Sequence, residues 1–438
     1  MGLDTLSVLE TLVETNTVSD RDKGKRASSE CPKYITKTIE DFGFTTDILE
    51  SEGYWSAFGR KGDGDKKILF LAHFDTVPPG KGWKTDPFEL VVEGNRAYGR
   101  GTCDDKGNIV SMLLLAEKLQ TTNPSMTVML AATGDEEIGG AHGAGNLRNY
   151  LDENGLMPDY VVVADGIGQV IIHRRRNALP THVKVKKHLS QMKGEIETKQ
   201  FQTDLFGSDT RHSAYQRPGV DRHALLAASK YLDLHPFAGV TKVEGAFVKS
   251  NVIPDWIELE IVHPDESGAT VDYDQGLTDL LRAALPMAQA AFPTEHSDMG
   301  KVVSPNLLEL KDGVWDLYLD VRAMTNDSES AKKAFQESLR GKAEVTSLTV
   351  GAGQGYVDSD PNSQLIKAAR KALDRIGIKT RLIEGGGASD SRYFAGENTQ
   401  VFDFGPIGDN LHGANEWVLV PSIEENAEFF YELINILS

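Results

Sequence analysis

The stretch from residue 68 to 140 constrains this chain most, because three short blocks of acid and imidazole chemistry follow one another there beside apolar runs. They read ILFLAHFDTVPPG, GRGTCDDKGNI and MLAATGDEEIGG. The run from Ile68 to Ala72 is too short for a free-standing helix and stops at His73, Asp75 and Pro78, which is the pattern of a buried strand. Open α/β sheets release side chains from the carboxyl ends of such strands into the crevice where ligands bind. Side chains alternate along an extended chain, so His73 and Asp75 point the same way. One can bind a metal while the other accepts its second ring N–H.

In the second block Asp104 and Asp105 follow Gly99 and Gly101 and precede a helical pattern with Ile109, Met112, Leu113 and Ala116 on one face. Acids at a helix start favour the macrodipole in any case, and only one of this pair can easily turn into the crevice; Asp104 is the choice. A strand from Thr127 to Ala132 opens into Asp135, Glu136 and Glu137, a further strand in DYVVVADG ends at Asp165, and TQVFDFGPIGDNLHGANEW carries His412 after a Gly/Pro turn. These elements are expected to discharge their acids and imidazoles on one side of a parallel sheet. Two metals with one imidazole and one carboxylate each, plus a shared carboxylate, need five ligands, and His73, Asp104, Glu137, Asp165 and His412 supply five. Carboxylate with imidazole suits zinc, with cobalt or manganese as substitutes. Glu136 is left over as a general base beside a metal-activated water.

These blocks resemble those of the zinc metallopeptidase family of aminoacylase, carboxypeptidase G, acetylornithine deacetylase and succinyl-diaminopimelate desuccinylase, and the resemblance covers nearly the whole chain. It implies that His73 and Asp165 hold one zinc, that Glu137 and His412 hold the other, and that Asp104 bridges the two. It further implies that Glu136 is the base, that Asp75 orients His73, and that the Asp104–Asp105 peptide is cis. The fold implied is a two-domain one: a phosphorylase/hydrolase-like catalytic α/β/α sandwich with an inserted α+β, ferredoxin-like lid that serves for dimerisation.

A chain of 438 residues exceeds what one hydrophobic core usually serves. The catalytic domain is placed at 1–176 and 356–438, because His412 must return to meet His73, and the inserted lid at 177–355. HRRRNALPTHVKVK marks the crossing, its arginines read as a solvated surface. Within the lid Ile257, Leu259 and Ile261, and then Leu317, Leu319 and Val321, alternate with polar residues as one-faced strands do. The segment is longer than the family's usual lid, and the excess is placed between Pro264 and Pro305, where GLTDLLRAALPMAQAAF adds a helix. Ser359, Asp360 and Pro361 are expected to open a helix on the return to the catalytic domain. A formal net charge of -19 argues against nucleic acid or an anionic membrane as partner. Two cysteines without metal or disulfide spacing fit a cytoplasmic location.

The resemblance assigns further residues. GGGASDSRYF matches a loop that meets the substrate's carboxylate, with Arg392 first and Gly387 and Ser389 beside it; Arg322 matches an arginine of the lid. His212 matches a lid histidine that reaches the scissile carbonyl, often across a dimer, and either Asn251 or Asn306 matches an asparagine near the oxyanion. The activity expected is two-zinc hydrolysis of an amide bond near a free carboxylate, in a small peptide or an N-acyl amino acid. Di- or carboxypeptidase action is preferred, because the family's peptidases generally carry Asp where this chain has Asp165 and its deacylases generally carry Glu. The alternatives are an N-acyl amino acid deacylase of the desuccinylase or acetylornithine deacetylase type, and a non-catalytic binding or assembly protein on the same fold.

Overall fold

The computed structural model describes residues 2–20, 23–206, 211–295, 300–396 and 398–438. The chain forms two compact units, Met1–Arg175 with Val357–Gly385 and Ser389–Ser438, and Arg176–Tyr356 with Gly386–Ala388.

At the centre of the first unit, Thr127–Thr133, Lys67–His73, Tyr160–Val163 and Gln400–Asp403 lie side by side as parallel strands in that order. They are buried almost throughout, as near-continuous apolar runs require. Ile68, Phe70 and Ala72 face one core, which takes in the helices Thr5–Glu14, Glu30–Asp41, Gly107–Lys118, Gln364–Arg375 and Val420–Leu437. Leu69 and Leu71 face the other, where Leu147 and Leu151 of the helix Ala144–Glu153 pack. The result is the expected α/β/α arrangement. The sheet is mixed, however, and not parallel throughout: Tyr54–Lys61 joins Thr127–Thr133 antiparallel, and Ile171–Arg175 meets Gln400–Asp403 antiparallel. A short apolar run carries no mark of its direction. The hairpin that reverses Thr45–Ser51 into Tyr54–Lys61 turns on Glu52 and Gly53, both at positive φ.

Other local readings are corrected by long-range partners. The helix Gly107–Lys118 is buried on most of its surface, not one face, and Ser111 Oγ donates to Ile423 O of the last helix at 2.8 Å. The helix at 364 starts after Ser363, whose hydroxyl accepts the Ile366 N–H, so Ser359–Pro361 lie outside it. The arginine run is not a solvated surface: Arg174 pairs with Asp358 and Glu384, Arg175 pairs with Asp403, and Arg175 and Arg176 are only 7% and 3% exposed.

In the second unit, the strand Thr181–Lys186, helix Gln275–Ala288, strands Val302–Lys311 and Val314–Ala323, helix Ser328–Leu339 and strand Val345–Val350 follow one another in β-α-β-β-α-β order. Their sheet runs Val302–Lys311, Val314–Ala323, Thr181–Lys186, Val345–Val350, antiparallel at every step, which is the ferredoxin-like arrangement. Its apolar face, with Val183, Val185, Leu317, Leu319 and Val321, shares a core with Leu280, Leu281 and Phe335 of the two helices. The helix that the sequence left as an addition is therefore the first helix of this α+β layer. The extra chain lies earlier, where Leu189–Gln202, the helix Ala224–Leu234, Gly239–Gly245, Trp256–Pro264 and Ala269–Asp274 build a second, closed sheet system.

Pro286 stands inside the helix Gln275–Ala288. Proline has no N–H, so the carbonyl four residues back loses its partner. Ser229, fully buried on the neighbouring helix, replaces it: its hydroxyl donates to Arg282 O at 3.0 Å and accepts the Leu285 N–H at 3.0 Å. Ser229→Ala should destabilise this unit by about 1–3 kcal/mol, the cost of leaving buried backbone groups unpaired. Urea unfolding checks it, and adding Pro286→Ala, which restores an N–H for Arg282 O, should recover part of the loss.

Candidate active site

Three of the central strands end at the crevice with the groups the sequence singled out. His73 is the last residue of its strand and is buried; Asp165 follows Tyr160–Val163 by two residues; Glu136 and Glu137 form a single helical turn, Glu136–Ile138, just beyond Thr127–Thr133. Asp104 lies in the turn Thr102–Lys106, after Gly101 at φ 84, where a side chain would strike Thr76. The Asp104–Asp105 peptide is cis.

Asp104 organises the centre. One oxygen lies 3.0 Å from His73 Nε2 and the other 3.1 Å from His412 Nε2, which is itself 3.1 Å from Glu137 Oε2. Donor atoms of His73, Asp104 and Asp165 lie within 4.8 Å of one another, and so do those of Asp104, Glu137 and His412. The five predicted ligands thus form two groups sharing one carboxylate. Asp105 faces elsewhere, accepting the His73 backbone N–H at 3.0 Å and the Asn108 amide at 2.7 Å.

His73 Nδ1 lies 3.0 Å from the backbone carbonyl of Asp75, which can only accept. Nδ1 therefore carries a hydrogen, which leaves Nε2, here against Asp104, as the nitrogen a metal would take. Asp75 also acts at a second place. Its carboxylate stands farther off, 3.5 Å from the ring, and accepts the N–H groups of Glu136 at 3.0 Å and Glu137 at 3.3 Å. The side chain positions the turn of Glu136 and Glu137, and the main chain steadies the imidazole.

Crowded carboxylates dominate the electrostatics. Burial pushes Glu136 up to about 7, with His73 and Arg392 working against the rise and Glu137 and Asp104 adding to it. Asp165 is raised by burial and by the charge of Glu136. Asp104 moves the other way: burial opposes ionisation, but hydrogen bonds from His412 and His73 outweigh it. Imidazole and carboxylate donors, an excess of buried negative charge and no thiolate among the donors fit a pair of divalent cations of the zinc, cobalt or manganese kind.

Arg392, of the substrate-loop candidates, is nearly buried, and its Nη2 donates to Gly139 O at 3.1 Å, on the turn that follows Glu136. Ser389 is fully buried with its hydroxyl on Asp403 at 3.0 Å; that hydroxyl supports the loop from within and is withdrawn as a substrate contact. Gly387 is half-buried in the same loop. In the second unit His212 Nδ1 accepts the Ala214 N–H at 3.1 Å, and the Asn251 amide lies 3.2 Å from its Nε2. Asn306 is fully buried and donates to Ser250 O at 2.7 Å, so Asn251 is the asparagine grouped with His212, and Asn306 braces the loop before it. Arg322 donates to Asp320 at 2.9 Å.

Sequence reasoning missed Glu416, which is fully buried. Its carboxylate accepts the N–H groups of Gly101, Cys103 and Asp104 at 3.0, 2.9 and 3.0 Å and pairs with Arg100 at 2.5 Å. The one available signal was an acid four residues after His412.

The model of the peptidase family M20/M25/M40 matches residues 69–436. Among curated relatives, the succinyl-diaminopimelate desuccinylase of Acidiphilium cryptum is 28% identical over 443 residues, covering 99% of this chain and 98% of the relative. That of Janthinobacterium sp. (strain Marseille) is 25% identical over 435 residues, 96% and 95%. Among solved structures, aminoacylhistidine dipeptidase from Vibrio alginolyticus superposes with a TM-score of 0.69 at 12% identity, covering 98% of this chain and 96% of that one. An M20 family metallo-carboxypeptidase from Sulfolobus solfataricus does so with 0.64 at 16%, covering 99% of each. With its strand-end acids and histidines gathered in one crevice and a family match spanning most of its length, the chain belongs to peptidase family M20/M25/M40 and is a hydrolase of that family.

Proposed function

We propose that this hydrolase cleaves an amide bond beside a free carboxylate in a small peptide, as a di- or carboxypeptidase. The observation that carries the reading is Asp104 set between His73 and His412, with Glu136 beside them. The Glu136 carboxylate accepts no hydrogen bond from the described residues. His73 and Asp165 would hold one zinc, Glu137 and His412 the other, and Asp104 both. Bound there, the ions supply Lewis-acid polarisation of the carbonyl and a water of lowered pKa. Glu136 takes a proton from the attacking water and delivers it to the leaving nitrogen as the C–N bond breaks. Arg392, whose planar fork suits a carboxylate, receives the substrate's carboxyl end, and His212 and Asn251 approach the carbonyl oxygen. Arg322 binds substrate in the same reading.

Asp165 as terminal ligand favours a peptide. The relatives named as desuccinylases favour a second reading, deacylation of an N-acyl amino acid. The second unit doubles as the interface of a homodimer in this reading, since Leu189, Phe206, Val220, Phe237 and Val248 stand 60% or more exposed on it. Both cysteines are free and buried, which suits the reducing cytoplasm.

Glu136→Gln should lower turnover by about 10²–10⁴ with metal content unchanged, whereas Glu137→Ala should lose metal by elemental analysis. A Glu136→Gln enzyme within tenfold of the parent would remove it as the base. A panel of dipeptides beside N-acetyl and N-succinyl amino acids, with zinc, cobalt or manganese restored, decides the substrate: release from the acyl compounds alone would replace the first reading with the second. Light scattering should give a mass of two chains; a fully active monomer would dismiss the dimer.

A further inference from the structure

Three non-glycine residues at positive φ, Asn410, His412 and Asn415 at 61°, 61° and 57°, crowd into the loop that carries His412. Such backbone persists only where its surroundings hold it. The loop is tied inward by Asn410 Nδ2 on Asn415 O at 3.1 Å and outward by Lys84 N–H on Asn415 Oδ1 at 2.9 Å. The strongest tie comes from Arg100, which is 1% exposed. One arm of its guanidinium pairs with Glu416 at 2.5 Å, and the other donates to Gly413 O, next to His412, at 2.9 Å. Trp83 covers it, with the guanidinium carbon 5.3 Å from the ring centre. Glu416 in turn grips the Asp104 turn through three backbone N–H groups. One buried ion pair therefore holds both the shared carboxylate and the outermost imidazole, residues 308 positions apart by number (412 − 104).

We infer that Arg100 and Glu416 are positioning residues that hold His412 at its distance from Asp104 and so determine whether a second divalent ion is bound, a role resting on the two-ion reading above. His73 and Asp165 owe their places to other elements. His73 ends a central strand and is fixed by the Asp75 carbonyl, and Asp165 follows the adjacent strand, its backbone carbonyl accepting from Arg175 at 2.8 Å. Releasing Gly413 O while Glu416 keeps its three backbone N–H groups should therefore separate the two sites. The first ion keeps its ligands; the second loses the geometry of His412.

The test is calorimetric titration of metal-free protein with zinc, and separately with manganese, for the parent, Glu416→Gln and Arg100→Lys. Arg100→Lys keeps the charge opposite Glu416 but gives up the forked reach to Gly413 O, so it serves where Glu416→Gln fails to fold. The parent should bind two equivalents. Arg100→Lys should bind the first within about threefold of the parent and the second about 10–100-fold more weakly, the usual size of such supporting effects, whereas Glu416→Gln, which also loosens the shared Asp104, should weaken both. Two ions bound by the variants as tightly as by the parent would overturn the inference, as would an equal loss at both sites in Arg100→Lys. A parent that binds fewer than two ions would sink the two-ion reading itself.

Discussion

Buried negative charge is the constraint on which the rest of the first unit depends. Asp75, Asp104, Asp105, Asp135, Asp390, Asp403 and Glu416 are each nearly or fully withdrawn from water, where a lone carboxylate would discard its charge. Five of the seven have close partners. Asp104 has two histidines, Asp75 two backbone N–H groups, Asp105 a backbone N–H and an amide, Asp403 an arginine and a serine, and Glu416 three N–H groups and Arg100. The loops at the strand ends are shaped around these obligations. Glu136 and Asp165, both pushed up by burial, lie at and beside the grouped donors that would hold divalent cations.

The candidate ligands stood out in the sequence because site chemistry and folding leave opposite marks. An apolar run that ends in His73 or in Asp135, Glu136 and Glu137 shows where a buried strand meets the crevice, and nothing about core packing accounts for acids there. Family resemblance then fixed which acid belonged with which imidazole. The cradle behind the ligands was not legible. Glu416 meets the Asp104 turn across 312 positions and mostly through backbone N–H groups, which have no sequence signature. Arg175 looked like part of a solvated basic run because its partner, Asp403, is 228 positions away.

Strand direction was hidden for a related reason. Periodicity reports how many faces of a strand are buried and says nothing of which way a neighbour runs, so the antiparallel flank at Tyr54–Lys61 could not be read from its residues. In the second unit the helix of LLRAALPMAQ looked like an addition because the closed sheet system separates it from Thr181–Lys186, the strand it follows in the layer; the helix carries Pro286. Ser229 on the next helix is what lets the chain continue helically through it.

The division of labour within Asp75 reaches beyond its two contacts. Its main-chain carbonyl steadies the imidazole, and its side chain steadies the turn bearing the base. Substitution can alter a side chain but not a carbonyl. The hold on His73 is therefore less exposed to changes at position 75 than is the hold on Glu136 and Glu137, although the carboxylate also stands 3.5 Å from the ring. A change at this position would disturb the turn of Glu136 and Glu137 before it disturbed His73 and Asp165. The two ends of the candidate site are thus unequally exposed to change at a single residue.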